Sequence, residues 1–297
     1  MVSPIKTDKM LINFLSTFIA KHLSTFINVL SQSIYPFFEK KMIDTHSHIY
    51  IEDFDADLDS VVERAKTAGV KAIVLPNIDV ASIERMHDVE NRYKNYCFAS
   101  MGLHPTSVDA DYKNSLAVIR KHLEMRPYIA IGEVGIDLYW DKTFAEAQIE
   151  AFEQQIEWAQ EFDLPIIIHT RNAHNEAIRS LKKFKNLRGI FHAFSGSFEQ
   201  AQEILRLNGN FKLGINGVLT FKNANLPQTL SRLTLSDIVL ETDAPYLTPS
   251  PYRGKRNESA YVKYVAEKLV EIYQVPFAEI DKITTENANF LFKTIRQ

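Results

Sequence analysis

The chain has 297 residues, of which 45% are hydrophobic and 24% charged, and its formal net charge is −3. This size and apolar content suit one large domain of about 250 residues. The slightly negative net charge gives no support to a nucleic-acid binder that works through a generally basic surface. The single cysteine, Cys97, excludes an internal disulfide, and its apolar surroundings are typical of a buried thiol in a cytoplasmic protein.

Residues 1–41 stand apart from the rest of the chain. Apolar residues recur there at helical spacing, but Ser, Thr, Asn, Gln, Lys and His interrupt them. A membrane span needs about 20 predominantly apolar residues, and no small-residue cleavage pattern of a signal peptide is present. Two interpretations stay open: a dispensable extension, which we favour, or an amphipathic helix on a membrane or a partner.

From Met42 onward, short apolar runs alternate with amphipathic helical stripes. The runs predict eight buried parallel strands, near residues 42–43, 71–75, 96–101, 128–132, 164–168, 189–191, 210–215 and 238–240. Helices are predicted between them, among others over 58–68 before Gly69 and over 83–93, and two more, 261–273 and 277–296, follow the last strand. Thr143-x-x-Glu146 and Ser197-x-x-Gln200 indicate capping boxes. The order predicts a single (β/α)8 TIM barrel over 42–297.

Metal-competent side chains follow five of the predicted strands. His46 and His48 stand two apart at the end of the first strand, so both rings can point to one face, although such a pair alone is more often a surface or capping pair. The others are Glu133, His169, His192 and Asp243. The C-terminal ends of barrel strands converge on one mouth. The sequence therefore predicts that these side chains meet in a site for divalent metal.

Seven motifs make the chain similar to the TatD family of metal-dependent hydrolases. They are His46-Ser-His48, Gly102-Leu-His-Pro105, Gly132-Glu-Val-Gly-Ile-Asp137, His169-Thr-Arg171, His192-Ala-Phe-Ser-Gly196, Glu241-Thr-Asp-Ala-Pro-Tyr246 and Arg253-Gly-Lys-Arg-Asn-Glu258. The resemblance runs from Met42, where chains of this family usually begin, to the C-terminus. Two departures, Ala193 for cysteine and Ser259 for proline, involve no presumed ligand.

The resemblance implies two divalent metal ions bridged by Glu133. The first position is expected to use His46, His48 and Asp243, and the second His169 and His192. A carboxylate has two oxygens and can span two cations roughly 3.5–4 Å apart. Asp243 is also expected to take a proton from the attacking water. The donor set is compatible with Mg²⁺, Mn²⁺ or Zn²⁺.

Several residues are candidates for substrate contacts, each with a structural alternative. His104 could contact a phosphate or the leaving group as part of the catalytic set, or simply pack its loop. Arg171 could steer an anionic substrate or form a salt bridge. Tyr246 could stack a base or pack beside Pro245. The basic loop of Arg253, Lys255 and Arg256 could bind a phosphate chain or be a solvated loop.

The resemblance implies hydrolysis of phosphodiester bonds in DNA, typically by a 3′–5′ exonuclease acting on single strands. A nucleotide cofactor or a stable membrane partner is not expected, and the expected compartment is the cytoplasm. Three alternatives remain: an amidohydrolase of a small cyclic amide, an aminoacyl-tRNA deacylase, and a nucleic-acid-binding scaffold with a structural metal. The last is disfavoured because structural zinc sites are usually closed and rich in cysteine.

Overall fold

The computed structural model describes residues 41–296 of the chain. The predicted extension lies outside the described residues, except for Lys41. The backbone of Lys41 is joined to the C-terminal helix: its N–H donates to Asp281 Oδ2 at 2.9 Å, and its carbonyl accepts from the Thr285 hydroxyl at 2.8 Å. These two hydrogen bonds therefore hold the start of the first strand against the C-terminal helix.

Eight parallel strands form the wall of a closed barrel. They are β1 (Met42–Asp44), β2 (Val70–Pro76), β3 (Cys97–Ser100), β4 (Ile131–Asp137), β5 (Ile166–Arg171), β6 (Leu187–Phe191), β7 (Gly209–Ile215) and β8 (Ile238–Leu240). Strands β1–β3 and β4–β8 pair in sequence order. The Met101 N–H donates to Ala130 O at 3.1 Å between β3 and β4, and the Thr45 N–H donates to Leu240 O at 3.0 Å between β1 and β8. The predicted (β/α)8 barrel is confirmed.

Helices cover the outside of the barrel. They are α1 (Leu58–Ala68), α2 (Ile83–Arg92), α3 (Tyr112–Met125), α4 (Ala145–Glu161), α5 (His174–Leu181), α6 (Phe198–Leu205), α7 (Leu226–Leu230), α8 (Val262–Tyr273) and α9 (Phe277–Leu291). Gly69 ends α1 with a φ of 91°, as its position predicts. The predicted last helix is too long, because α9 ends at Leu291 and a 3₁₀ turn follows. Within the described range, no helix is both long and apolar enough to cross a membrane.

One of the two predicted capping boxes is present. The Ser197 hydroxyl accepts from the Gln200 N–H at 3.3 Å, and the Gln200 side chain accepts from the Ser197 N–H at 2.9 Å. The box predicted at Thr143 is wrong, because α4 begins at Ala145 without a side-chain cap. The Thr143 N–H donates instead to Asp141 Oδ1 at 2.8 Å, so a local turn takes the place of the first helical turn.

The apolar core closes one end of the barrel and leaves the other for polar groups. Alternate residues of a strand point to opposite faces, and a cluster of inward-facing residues fills the barrel interior: Ile43, Val74, Ile167, Ile190 and Val239. Leu291 and Phe292, at the end of α9, join this cluster and are fully buried. The helix therefore covers the N-terminal end of the barrel, opposite the strand ends that carry the polar motifs.

Asn287 ties α9 to the barrel and generates a prediction. Its buried amide donates to the carbonyls of Leu235 at 2.8 Å and Ile238 at 2.7 Å. Asn287→Ala removes both buried hydrogen bonds, although Leu235 O keeps the Ile238 N–H as a donor, and we expect it to lower the free energy of unfolding by about 1–3 kcal/mol in urea titrations. The control, Asn114→Ala on the exposed face of α3, should change it by less than about 0.5 kcal/mol. Equal effects would contradict this role of Asn287.

Candidate metal centre

The first two histidines converge directly after β1. His46 and His48 are buried, and their Nε2 atoms lie 3.1 Å apart. Asp44, two residues earlier, accepts from the Thr242 hydroxyl at 2.6 Å and from the Thr242 N–H at 2.9 Å. Burial raises the pKa of Asp44 to about 7. Asp44 thus fastens the end of β1 to the segment after β8, which carries Asp243.

Glu133 lies at the centre of the site and its side chain is only 3% exposed. Its Oε2 is 3.1 Å from His46 Nε2 and 3.6 Å from His48 Nε2. Its Oε1 is 2.9 Å from His169 Nδ1 and 3.7 Å from His192 Nε2. Burial alone would raise the pKa of Glu133, but the facing histidines, His46 first, hold it well below its usual range. The two carboxylate oxygens therefore face two different pairs of histidines.

The predicted end of β4 is wrong, and so is the predicted end of β5. The prediction ended β4 at Gly132 and β5 at Ile168, whereas β4 runs to Asp137 and β5 to Arg171. The pairing of β4 with β5 shifts between Ile131 and Val134. Glu133 and His169 thus project from inside strands, where the neighbouring strand fixes the backbone of each.

Asp243 and His192 complete the cluster of predicted ligands. Asp243 Oδ1 lies 3.6 Å from the Nε2 atoms of His46 and His48 and 3.7 Å from that of His192. The His192 ring stacks on that of His46 with centroids 3.5 Å apart. Burial, together with the neighbouring carboxylates and against the opposing effect of His192, raises the pKa of Asp243 to about 7.

The donor set fits a divalent cation. Atoms bound at about 2.0–2.1 Å to one metal lie about 3.0–3.4 Å from each other, and His46 Nε2, His48 Nε2 and Glu133 Oε2 are 3.1–3.6 Å apart. Within residues 41–296, ligand atoms that all lie within 4.8 Å of one another form three groups: His46, His48 and Asp243; His104, Glu133 and His169; and His46, His192 and Glu241. His46 Nδ1 is buried and has no hydrogen-bond partner.

Hydrogen bonds at the second ring nitrogen set the tautomers of two histidines. Tyr50 donates its only hydroxyl proton to the Pro76 carbonyl, so its oxygen must accept from His48 Nδ1, which lies 2.9 Å away. His48 Nε2 then carries the lone pair that faces the cluster. Similarly, the Asp137 Oδ2 acceptor lies 3.0 Å from His169 Nε2. His169 Nδ1 lies 2.9 Å from Glu133 Oε1, so a cation bound at that position would take the Nδ1 lone pair while the Nε2–H donates to Asp137.

Glu241 orients His192 from behind. Its Oε1 lies 3.1 Å from His192 Nδ1 and accepts from the Ala193 N–H at 2.8 Å and from Asn216 Nδ2 at 3.1 Å. Burial lowers the pKa of His192, but the Glu241 carboxylate and its neighbours outweigh burial and raise it to about 10. A Cβ at Gly214 would lie 2.1 Å from Glu241 Oε2, so glycine makes room for this carboxylate.

Sequence reasoning did not single out these orienting residues. Asp137 and Glu241 each end or begin a family motif, and their carboxylates were visible there. Tyr50 continues the alternation of His46 and His48, because residues two apart on an extended chain share a face. This period-two continuation was the signal for Tyr50.

His104 lies at the mouth with its Nε2 facing the cluster. Its Nδ1 accepts from the Thr106 N–H at 3.2 Å, so the neutral ring carries its proton on Nε2, which lies 3.4 Å from Glu133 Oε1. Burial lowers the pKa of His104. Gln155 accepts from the Leu103 N–H at 2.7 Å and holds the loop in place.

The predicted substrate residues around the metal centre differ in their exposure and in the groups they contact. Arg171 is exposed, and its guanidinium carbon lies 3.8 Å from the centroid of the Tyr139 ring. The Tyr246 ring is 54% exposed and 6.5 Å from that of His48. Among the described residues, the Arg171 guanidinium contacts aromatic rings and forms no salt bridge, so the salt-bridge alternative for Arg171 is not observed. Contact of these side chains with substrate stays a prediction.

The basic loop after β8 divides into two parts. The Arg253 guanidinium carbon lies 3.5 Å from the centroid of the Phe221 ring, and Lys255 Nζ lies 5.7 Å from that of Tyr252. Arg256 instead pairs with Asp57 at 2.8 Å and donates to the Asp53 carbonyl. Arg256 therefore fastens the loop to the N-terminal side of α1, while Arg253 and Lys255 have no such carboxylate in the described structure.

The arrangement predicts that Glu133 supports both metal positions. We expect about two divalent ions per chain after gentle purification, and lower content at both positions in Glu133→Gln because an amide nitrogen cannot bind a cation. His46→Ala should empty mainly the first position. Elemental analysis measures both, with Glu267→Gln on the exposed side of α8 as control. Full metal content in Glu133→Gln would refute the bridging role.

A second prediction concerns Asp137. Asp137→Ala removes the acceptor that fixes His169, so we expect one of the two metal positions to weaken by about 10–100-fold while the other keeps its affinity. Competition titration with a chelator resolves the two affinities, and a melting curve verifies folding. Asp137→Asn, which keeps one acceptor oxygen, should fall between. Equal weakening of both positions would argue against an action through His169.

Comparison with known proteins identifies the family of the chain. The family model described as TatD related DNase matches residues 43–293. The chain is 42% identical over 255 residues to the metal-dependent hydrolase YabD of Bacillus subtilis, covering 85% of this chain and 99% of that protein. It superposes on the crystal structure of the TatD homologue YjjV of Escherichia coli with a TM-score of 0.80, at 30% identity and over 86% of this chain and 99% of that one. The chain belongs to the TatD family of metal-dependent hydrolases.

Proposed function

We propose that this hydrolase cleaves phosphodiester bonds in DNA and shortens single strands stepwise from the 3′ end, with two divalent cations (Mg²⁺, Mn²⁺ or Zn²⁺) as cofactors. The observation that carries the proposal is the orientation of Glu133. Its Oε2 faces His46 at 3.1 Å and its Oε1 faces His169 at 2.9 Å, which suits a carboxylate between two cations. The description of the matching family as TatD related DNase supports DNA as the substrate.

The protein groups have separate roles in this reaction. When bound, the two cations polarise the phosphodiester and make a water molecule nucleophilic near neutral pH. Asp243 Oδ1 faces the histidines, which leaves Oδ2 to accept the proton of the attacking water. His104 donates from Nε2 to a phosphate oxygen or to the leaving oxygen, since its Nδ1 is occupied by Thr106.

In this proposal, basic side chains on two sides of the barrel mouth bind the phosphate chain. Arg171 stands at the end of β5, and Arg253 and Lys255 stand in the loop after β8, three strands away around the barrel. A strand that crosses the mouth can contact both sides while one phosphate occupies the centre. Tyr246, exposed beside His48, stacks a base.

The remaining hydrolase alternatives use the same donor set. An amidohydrolase of a small cyclic amide needs an enclosed pocket whose groups recognise one compact substrate, whereas the exposed arginines suit an extended polyanion. An aminoacyl-tRNA deacylase would use the same centre on a carboxylic ester. Both therefore enter the experiment as competing outcomes.

The proposal predicts metal-dependent shortening of labelled single-stranded DNA in Mg²⁺ or Mn²⁺, abolished by chelator and by Asp243→Asn. The double variant Arg253→Gln and Lys255→Gln should raise KM about 10-fold and flatten its salt dependence, because two phosphate contacts no longer release counterions. Metal content should stay unchanged. Lys121→Gln, on the exposed side of α3, is the control.

The competing activities give different results. If the metal-replete enzyme leaves oligonucleotides of all ends and structures intact, the nuclease proposal is wrong. Turnover of a neutral cyclic amide that is insensitive to the double variant would indicate the amidohydrolase. Release of the amino acid from misacylated tRNA would indicate the deacylase.

A further inference from the structure

We propose that Tyr139, Trp140 and Arg171 form a stacking site for a nucleobase of the substrate strand, next to the phosphate at the metal centre. We call these three residues the aromatic–arginine patch. The inference rests on the proposed function and deepens it, because it names the part of the substrate that is held on the β4–β5 side of the mouth.

The patch exposes a large aromatic area to solvent. Trp140 is 72% exposed and Tyr139 50%, and no large hydrophobic side chain of the described structure is more exposed than Trp140. Burying such rings in a complex gains free energy, and their few rotatable bonds keep the entropy cost of ordering them low. Exposed aromatic groups beside a polar site indicate a binding surface.

The geometry within the patch suits stacking. Arg171 Cζ lies 3.8 Å from the Tyr139 ring centroid and 5.2 Å from that of Trp140. The two rings meet edge to face, with centroids 4.8 Å apart and an interplanar angle of 88°. The guanidinium stacks on rings and forms no salt bridge in the described structure, so its N–H donors remain available to a phosphate. Aromatic rings and arginine planes are the groups on which unpaired bases stack.

The patch is joined to the metal centre through one carboxylate. Asp137 Oδ1 accepts from the Tyr139 N–H at 2.9 Å, and its Oδ2 lies 3.0 Å from His169 Nε2. The Arg171 carbonyl accepts from the Leu138 N–H at 2.9 Å. Asp137 therefore positions both a candidate metal ligand and the start of the patch, so a base on the patch belongs to a nucleotide close to the reacting phosphate.

The position of the patch fits a strand that crosses the mouth. In the closed barrel, β4 and β8 are four strands apart and so lie opposite each other. The patch follows β4 and β5, while Arg253 and Lys255 follow β8. A single strand that places a phosphate at the centre and contacts the β8 loop on one side meets the patch on the other.

The kinetic test compares Trp140→Ala with Trp140→Phe on two substrates. One is a single-stranded oligonucleotide, and the other is the same oligonucleotide with abasic sites at the terminal nucleotides. On the first, Trp140→Ala should raise KM about 10-fold, consistent with one lost stacking contact, and Trp140→Phe should stay near wild type. On the abasic substrate, Trp140→Ala and wild type should have the same KM. Met125→Ala, which removes a 69% exposed side chain at the end of α3, is the matched surface control.

The binding test uses the two tryptophans of the chain. Trp158 is buried at 6% exposure, so Trp158→Phe leaves Trp140 as the only tryptophan. A cleavage-resistant phosphorothioate oligothymidylate should quench its fluorescence saturably. If the probe quenches Trp140 fluorescence but the wild-type enzyme cleaves no ordinary oligonucleotide, the patch is supported and the proposed function is refuted. Cleavage by wild type with an unchanged KM in Trp140→Ala, or with the same rise on the abasic substrate, would overturn the patch.

Discussion

The burial of the Glu133 carboxylate is the constraint on which the site depends. A charged group removed from water is costly unless opposite charge or hydrogen bonds surround it, and Glu133 is 3% exposed with the Asp243 carboxylate near enough to interact with it. The facing histidines, His46 first, counteract burial and hold its pKa low. A cluster of carboxylates and imidazole lone pairs in so small a volume is complementary to divalent cations, which explains why a metal-dependent family uses this arrangement.

Orientation of the imidazoles comes from a second set of residues outside the cluster. Tyr50, Asp137 and Glu241 each contact the ring nitrogen that points away from the centre of the site. Each of the three lies on the same strand as a candidate ligand, or in the same segment directly after a strand. The barrel therefore fixes both the position of the ligands, through parallel pairing, and the direction of their lone pairs, through side chains that alternate along the same strands.

The sequence predicted the barrel and the meeting of six side chains because both follow from period and topology. It did not predict that β4 continues through Asp137, since Glu133 and two glycines interrupt the apolar run that marks a buried strand. It could not show that Arg256 pairs with Asp57, a contact between residues 199 positions apart. The Thr143 capping box failed because Asp141 offers a nearer acceptor. Contacts between residues far apart in sequence depend on how a loop folds back onto the barrel, and the local sequence pattern does not predict them.

Local charge, rather than the net charge of −3, decides what the mouth attracts. Arginines elsewhere on the surface, such as Arg120 with Glu161 and Arg188 with Asp163, are neutralised by carboxylates. Arg171 and Arg253 stack on aromatic rings instead. A ring attracts the cation without cancelling its charge or occupying its in-plane donors. These arginines are thus ordered in advance and keep their in-plane donors free. Under the proposed function, this is how an acidic protein presents a positive rim to a polyanion beside its metal centre.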